Sequence, residues 1–435
     1  MSDAPKPLLW NAFLMNTASH IHHGQWRHPE ARQSEFEDVR LWVDLARTLE
    51  EGVFDAMFFA DVTGLYGPAG GQYVDNVHEG LQIPSNDPAV LLGALAVETS
   101  RIGLAYTSNV MQQHPFNFAR QVSTLDHISR GRVAWNIVTS TQENAARNFG
   151  LPALVEHDAR YDWADKYLEV VYQLWEGSWD GDSHLPVPSP QRTPYLFQAG
   201  GSPRGIRFAA QHAEAVFIAP PTPDVARQHV AEARAAAVAA GRHPDDVKFF
   251  PGLTFVVGEN ETDVARRLDT YQAWASAVGY LTHSGLGVLP DGTSLPPETL
   301  LKDIENNGGR GFVEWLRKAH PDREPTLADL AESRTRRGIV AGTPDQIADQ
   351  LLAWQAAGID GVNVINWRLP GTYVEHVERL LPTLQRRGLA RREYAEGDTL
   401  RGRITGHDRL DERHPAAAYR GAFAPQVPAS VEVGA

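Results

Sequence analysis

Six neutral hydrogen-bonding side chains crowd the end of one apolar run. Asn136, Thr139, Ser140, Thr141, Gln142 and Asn144 follow the β-branched stretch Val133–Val138 in "RVAWNIVTSTQENAARNFG". Amides and hydroxyls both donate and accept, so they suit a ligand rich in polar edges rather than a metal ion. Other apolar runs close in the same way. Asn16, Thr17, His20, His22 and His23 follow Leu8–Phe13, and Asp61 and Tyr66 follow Phe54–Ala60. Thr107, Asn109 and His114 follow the third run, Ile102–Thr107. A carboxylate ending "FDAMFFAD" is costly to bury without hydrogen bonds. Asp61 is therefore either a paired structural group or an acceptor for N–H or hydroxyl groups of a bound heterocycle.

A fifth run ends in "QAGGSPRG", Gln198 to Gly205. Gly200 and Gly201 let backbone approach a ligand, and Ser202-Pro203 starts a helix. Its first N–H groups lack internal partners and sit at the positive end of the dipole, which welcomes a phosphate. Arg204 could add a charge-assisted contact; an ordinary tight turn is the plain alternative. "EHDARYD" opens another helix, where Asp158 reads as the cap and His157 and Tyr161 form an i, i+4 pair. That pair either decorates one helix face or projects towards the same ligand. "SHIHHG", Ser19 to Gly24, invites a metal reading, because His-x-His after a first strand begins many metal sites. No imidazole or carboxylate ends the fifth, sixth or last run, so no metal ion is expected.

The elements that would hold these groups alternate. Eight apolar runs, Leu8–Phe13, Phe54–Ala60, Ile102–Thr107, Val133–Val138, Tyr195–Gln198, Ala215–Ala219, Lys248–Val257 and Gly361–Asn366, are separated by helical periodicity. Alternation of this kind implies parallel strands with crossover helices, and eight units favour a closed (β/α)8 TIM barrel over an open sheet. Polar residues at strand C-terminal ends then converge on one mouth. Thr343-Pro344-Asp345-Gln346 carries a capping box, and Ser202-Pro203 and Thr222-Pro223 are further helix starts. The gap between the last two runs exceeds one helix, so residues 281–337 are expected to be an insertion between strands 7 and 8, with a box at Thr326 and Asp329. The barrel is expected to occupy residues 1–390. Residues 391–435 read as a C-terminal extension that wraps outside or stays mobile.

Bulk properties narrow the function. The 435 residues carry a formal charge of −14, which argues against nucleic acid or an anionic membrane surface as partner. There is no cysteine, so thiol chemistry and disulfides are excluded. The sequence shows neither a secretory leader pattern nor an apolar run long enough for a bilayer, and a cytoplasmic location is expected.

Taken together, "NAFLMNTASHIHHGQWRHP", "HPFNFARQVSTLDHISRGRVAWNIVTS", "EHDARYDWADKYLEVVYQLWEGSW", "PSPQRTPYLFQAGGSPRG" and "GTPDQIADQL" make the chain resemble the bacterial luciferase-like superfamily. The likeness is to its branch of two-component flavin monooxygenases that act on nitrilotriacetate, dibenzothiophene sulfone, dimethyl sulfide or long-chain alkanes. The resemblance implies a TIM barrel that binds FMN at its mouth. A separate NAD(P)H:flavin reductase would supply the FMN in reduced form, with O2 as co-substrate. It implies Asp61 at the polar edge of the flavin ring, Thr107, Asn136 and Ser140 along the ring and ribityl chain, and His157, Tyr161, Gly201 and Ser202 at the phosphate. His20 and Tyr66 are the candidates for proton handling, the imidazole because of its mid-range pKa; Gln82 and His114 are weaker ones. A homodimer or homotetramer is expected by analogy. Substrate class stays open among organosulfur, alkane and aminopolycarboxylate compounds. The alternative on the same fold is a deazaflavin-dependent oxidoreductase or a flavin-degrading enzyme.

The chain departs from the branch in three places. The stretch 180–187 is shorter than in relatives. Thr17 and Thr141 stand where the alkane enzymes have Cys and His. "HSGLGVLPDG", His283 to Gly292, matches the family's lid loop only loosely.

Overall fold

The computed structural model describes residues 6–66, 73–177, 188–285, 287, 289, 295–304, 316–317, 320–336, 338–397 and 399–422. The shortened stretch 180–187 lies outside them. β1 (Leu9–Met15) is buried along its whole length, as a parallel strand flanked on both faces must be. Seven more such strands stand beside it: β2 (Ala56–Ala60), β3 (Gly103–Asn109), β4 (Val133–Val138), β5 (Tyr195–Gln198), β6 (Ala215–Ile218), β7 (Lys248–Val257) and β9 (Gly361–Ile365). Neighbours pair in parallel from β1 round to β7, β7 pairs β9, and β9 returns to β1 with Leu9 opposite Gly361. The sheet is a closed eight-stranded barrel within a layer of helices. All eight expected runs are its strands.

Side chains alternate across the wall with period two. Trp10, Ala12 and Leu14 face the helices, joining Phe59, Tyr106 and Trp135 in the outer core. Phe13, Phe58, Tyr195, Phe197 and Phe250 fill the interior. Successive rings there meet edge-on or tilted, Phe58 with Phe197 at 5.0 Å and Phe197 with Phe250 at 5.7 Å. The barrel is a packed core, not a pore, which leaves its mouth as the place for a ligand.

Several helix starts match their sequence signals. Thr343 accepts from the Gln346 N–H while the Gln346 side chain returns to the Thr343 N–H, closing the box. Ser202 and Thr222 accept from Gly205 and Val225. Thr326 and Asp329 bond reciprocally. The helix His157–Glu176 differs: Glu156, not Asp158, is its cap, accepting from both Asp158 and Ala159.

The connection from β7 to β9 is richer than the sequence announces. It holds the helices Glu261–Trp274, Ala277–Ser284 and Leu327–Arg336, then β8 (Ile339–Gly342), which pairs with Thr254–Val257 of β7 outside the barrel. The tail does not stay outside. Leu400 belongs to the interior cluster with Leu9, Ala105, Ala134 and Tyr195. A Cβ on Gly103 would come within 2.7 Å of Leu400 Cδ1, so glycine makes room for it. Arg401, 1% exposed, donates to both oxygens of Glu214 and to the carbonyls of Thr193 and Pro194 just before β5. The tail thus closes the end of the barrel opposite the mouth. Among the described residues no helix is long and apolar enough to cross a membrane.

Candidate functional site

The C-terminal ends of β2 to β5 and the start of the helix His157–Glu176 surround a cavity of about 230 Å3. Asp61, Tyr66, Thr107, Ser140, His157 and Tyr161, all singled out by sequence, line it. Asn136 is not among the lining residues, but its Nδ2 donates to the lining Thr107 Oγ1 at 2.9 Å. Gly201 and Ser202 begin the next helix two residues beyond the lining pair Gln198 and Ala199.

Among the described residues Asp61 has no ion-pair partner. Burial, and next the charge of Asp87, push its carboxyl up to about 7, against hydrogen bonds from the Val62 N–H and the Gln112 amide. Ser140 adopts a left-handed φ of 65°, unusual for a residue with a side chain and typical of backbone fixed for function. Tyr161, 6% exposed, brings its hydroxyl so close to Gly200 and Gly205 that a Cβ at either would stand 2.8 Å from it. Glycine is needed there for that close approach. The hydroxyl, the Gly201 backbone and the helix tip form one polar corner. His157 Nδ1 bonds Asp158 at 2.6 Å, which orients the ring beside Tyr161.

Arg204 does not serve this corner. Its guanidinium is held by Asp162 and Asp165 at 3.0 and 2.5 Å. The cation inside the cavity is Arg160, buried, with one N–H spent on the Val155 carbonyl and its Nε without a protein partner. Gln198 Oε1 and Asn136 Oδ1 are buried and unpartnered as well. Buried polar atoms are nearly always satisfied in folded proteins. Three orphans about one cavity, two of them acceptors and one a cationic donor, fit a bound molecule with polar ring edges and an anionic end.

Of the two proton-handling candidates, Tyr66 lines this cavity and His20 is not among its lining residues. Tyr66 donates to Gln82 Oε1 at 2.9 Å and stacks on His283 at 4.0 Å. His20 is 2% exposed, packs on Phe13 at 4.7 Å, and leaves both ring nitrogens without a side-chain partner. Burial first, then the neighbouring His22 and His283, lower its pKa to about 3. The mid-range imidazole expected from sequence is therefore absent: His20 is neutral near pH 7. His114 is a helix cap, its Nδ1 accepting from the Phe116 N–H. His22 is tied by Nε2 to Thr254 and by Nδ1 to Tyr271, at 2.6 and 2.7 Å. Sequence reasoning passed over Arg160, Gln112 and His283. The first lay inside a segment already noted, and the last lay in the loop where the family pattern was weakest.

The chain is similar to known proteins of one family. The family model for luciferase-like monooxygenases matches residues 15–361. The long-chain alkane monooxygenase of Geobacillus thermodenitrificans is 37% identical, over 94% of this chain and 97% of that protein. The crystal structure of DmoA from Hyphomicrobium sulfonivorans superposes with a TM-score of 0.86 at 35% identity, covering 96% of this chain and 97% of that one. A riboflavin lyase crystallised with modified FMN and riboflavin superposes at 0.84 with 30% identity, covering 95% and 100%.

Proposed function

The chain belongs to the luciferase-like monooxygenase family, and from that premise we propose that it is the oxygenase component of a two-component system. A separate NAD(P)H:flavin reductase supplies reduced FMN, and O2 is the co-substrate. The observation that carries this reading is the gathering of Asp61, Thr107, Ser140, His157 and Tyr161 on one cavity at the barrel mouth, next to a glycine-lined helix tip. When bound, reduced FMN activates dioxygen so that one oxygen atom enters a substrate and the other leaves as water.

The residues of this chain bind, orient and shield. Ionised Asp61 accepts from a ring N–H, while Thr107, Asn136 and Ser140 meet the ring edge and ribityl hydroxyls. Tyr161, Ser202, the Gly201 backbone and His157 hold the phosphate, with Arg160 supplying charge. Neutral His20 and the Tyr66 hydroxyl offer hydrogen bonds where protons are exchanged, in a water-poor pocket. Assembly as a homodimer or homotetramer belongs to the same reading, and light scattering tests it.

The deazaflavin alternative is not favoured. An F420-dependent alcohol dehydrogenase shares the fold alone, at 13% identity. Flavin degradation is tested directly by including riboflavin among substrates. The deciding experiment is anaerobic titration with reduced FMN, followed by reductase-coupled oxygen uptake and product analysis over organosulfur, alkane and aminopolycarboxylate compounds. Saturable binding and substrate-dependent product are expected; absence of saturation overturns the assignment. Ser202→Asp puts a carboxylate at the phosphate corner and should weaken binding at least ~10-fold.

A further inference from the structure

Opposite the first cavity, the ends of β6, β7 and β9 enclose a second one of about 170 Å3 with the helix Ala277–Ser284. We propose that this cavity is the substrate subsite, and that it takes an uncharged organic molecule, one as small as a single aromatic ring included, while rejecting carboxylates. The proposal rests on the flavin reading above for the reaction, but its geometry stands separately.

Position comes first. Tyr66 lines the first cavity and His283 lines the second, and their rings stack at 4.0 Å with 21° between planes. One pair of rings is thus the common wall, so a molecule in the second cavity sits beside whatever fills the first. The second cavity also abuts the ring column of the barrel, since its Phe217 stacks on Phe13 at 5.0 Å.

Wall chemistry sets the class. Phe217, Ala219, Pro220, Ile365 and Ile21 are apolar. The imidazoles mostly turn their polarity on one another and on the frame: His22 on Thr254 and Tyr271, and His23 Nε2 on His283 Nδ1 at 2.8 Å. Burial keeps His22 uncharged at neutral pH, lowering it to about 3. Among the described residues that line it there is no Lys, Arg, Asp or Glu. A carboxylate stripped of water here would find no Lys or Arg among the described lining residues, a heavy penalty. An apolar molecule incurs no such penalty, because leaving water is favourable for it.

Size sets a minimum. An apolar cavity of ~150 Å3 holds one benzene. A cavity of 170 Å3 therefore has room for a ring or a short thioether. The aminopolycarboxylates are disfavoured by their charge.

The test uses the full-length protein with benzene and benzoate as probes, followed by saturation-transfer NMR, and reduced FMN titrated anaerobically in parallel. Benzene should saturate, and benzoate should bind at least about 100-fold more weakly. Ala219→Leu, at an exposed rim position, should weaken benzene at least ~10-fold and leave FMN affinity within about twofold. Ser284→Arg should improve benzoate at least ~10-fold by supplying the missing cation. Benzoate binding as tightly as benzene, or benzene binding indifferent to Ala219→Leu with the melting temperature unchanged, overturns the proposal. Benzene binding that survives where FMN fails to bind would instead overturn the flavin reading and leave the cavity assignment standing.

Discussion

Asp61 is the titrating group of the mouth, and its environment fixes the sign of two effects. Its native value of about 7 lies above the ordinary 3.8, because burial and Asp87 disfavour the charge. The fold therefore prefers the protonated form. That contribution to stability is complete below about pH 4 and is lost as pH climbs through 7. Asp61→Asn should abolish this dependence, so the variant should melt a few degrees above the parent at pH 8 and level with it near pH 4; differential scanning calorimetry reads the difference. Binding runs the other way. A carboxylate that accepts a ring N–H must be ionised, so reduced FMN should bind more tightly as pH rises from 6 to 8 in the parent and show no such slope in Asp61→Asn. His20 behaves differently, since it is already deprotonated there. His20→Ala should lower kcat by about 100-fold with FMN affinity within about twofold, and should leave the activity limb near pH 7 in place. Disappearance of that limb would shift the titrating role from Asp61 to His20.

At the scale of elements, most of the frame was legible because its signals are local. Eight short apolar runs and four cap motifs each depend on residues within about four positions of one another, the range over which pattern reasoning works. What was hidden depends on partners far away in sequence. β8 is only the four residues Ile339–Gly342, too brief for a period to show. Glu156 and Asp158 are equally plausible caps until the backbone fixes which side chain reaches the free N–H groups. Arg204 looked available for a phosphate until Asp162 and Asp165, on another helix, claimed it. The depression of His20 comes first from burial by the fold and in part from the distant His283; of its causes only His22 is written in "SHIHHG". The tail is the clearest case. An Arg-rich segment reads as solvated, yet Arg401 sits beneath the barrel on Glu214, 187 positions away. Arg401→Met should leave Glu214 buried without its cation and cost ~3–5 kcal/mol in a urea melt. Adding Glu214→Leu should recover most of that loss, because removing both charges also removes the uncompensated one. A single variant as stable as the parent would mean that the tail is not holding the barrel floor.

For the molecule as a whole, the charge of −14 sets how an anionic flavin arrives. Reduced FMN carries its phosphate charge, so the overall field repels it, while Arg160 and the helix tip at Ser202 attract it only within the mouth. The two fields have different reach. The global field extends over a Debye length, ~30 Å at 0.01 M salt and ~8 Å at 0.15 M, whereas the local donors act over hydrogen-bond distance. Salt therefore strips the repulsion from the approach and spares most of the attraction in the site. Anaerobic stopped-flow should show the association rate rising about two- to fivefold between ~0.01 and ~0.15 M NaCl, with a smaller change in the dissociation rate. A rate that falls with salt would place the controlling field in the basic corner instead, and would make the barrel mouth an attractor from a distance. The same argument bears on the handover from a reductase. A repelled flavin dissociates into bulk water and finds its site by diffusion, so product yield should fall steeply when excess O2 oxidises free flavin. A yield insensitive to oxygen would require direct transfer through a docked reductase, whose face would then have to be basic to approach this chain.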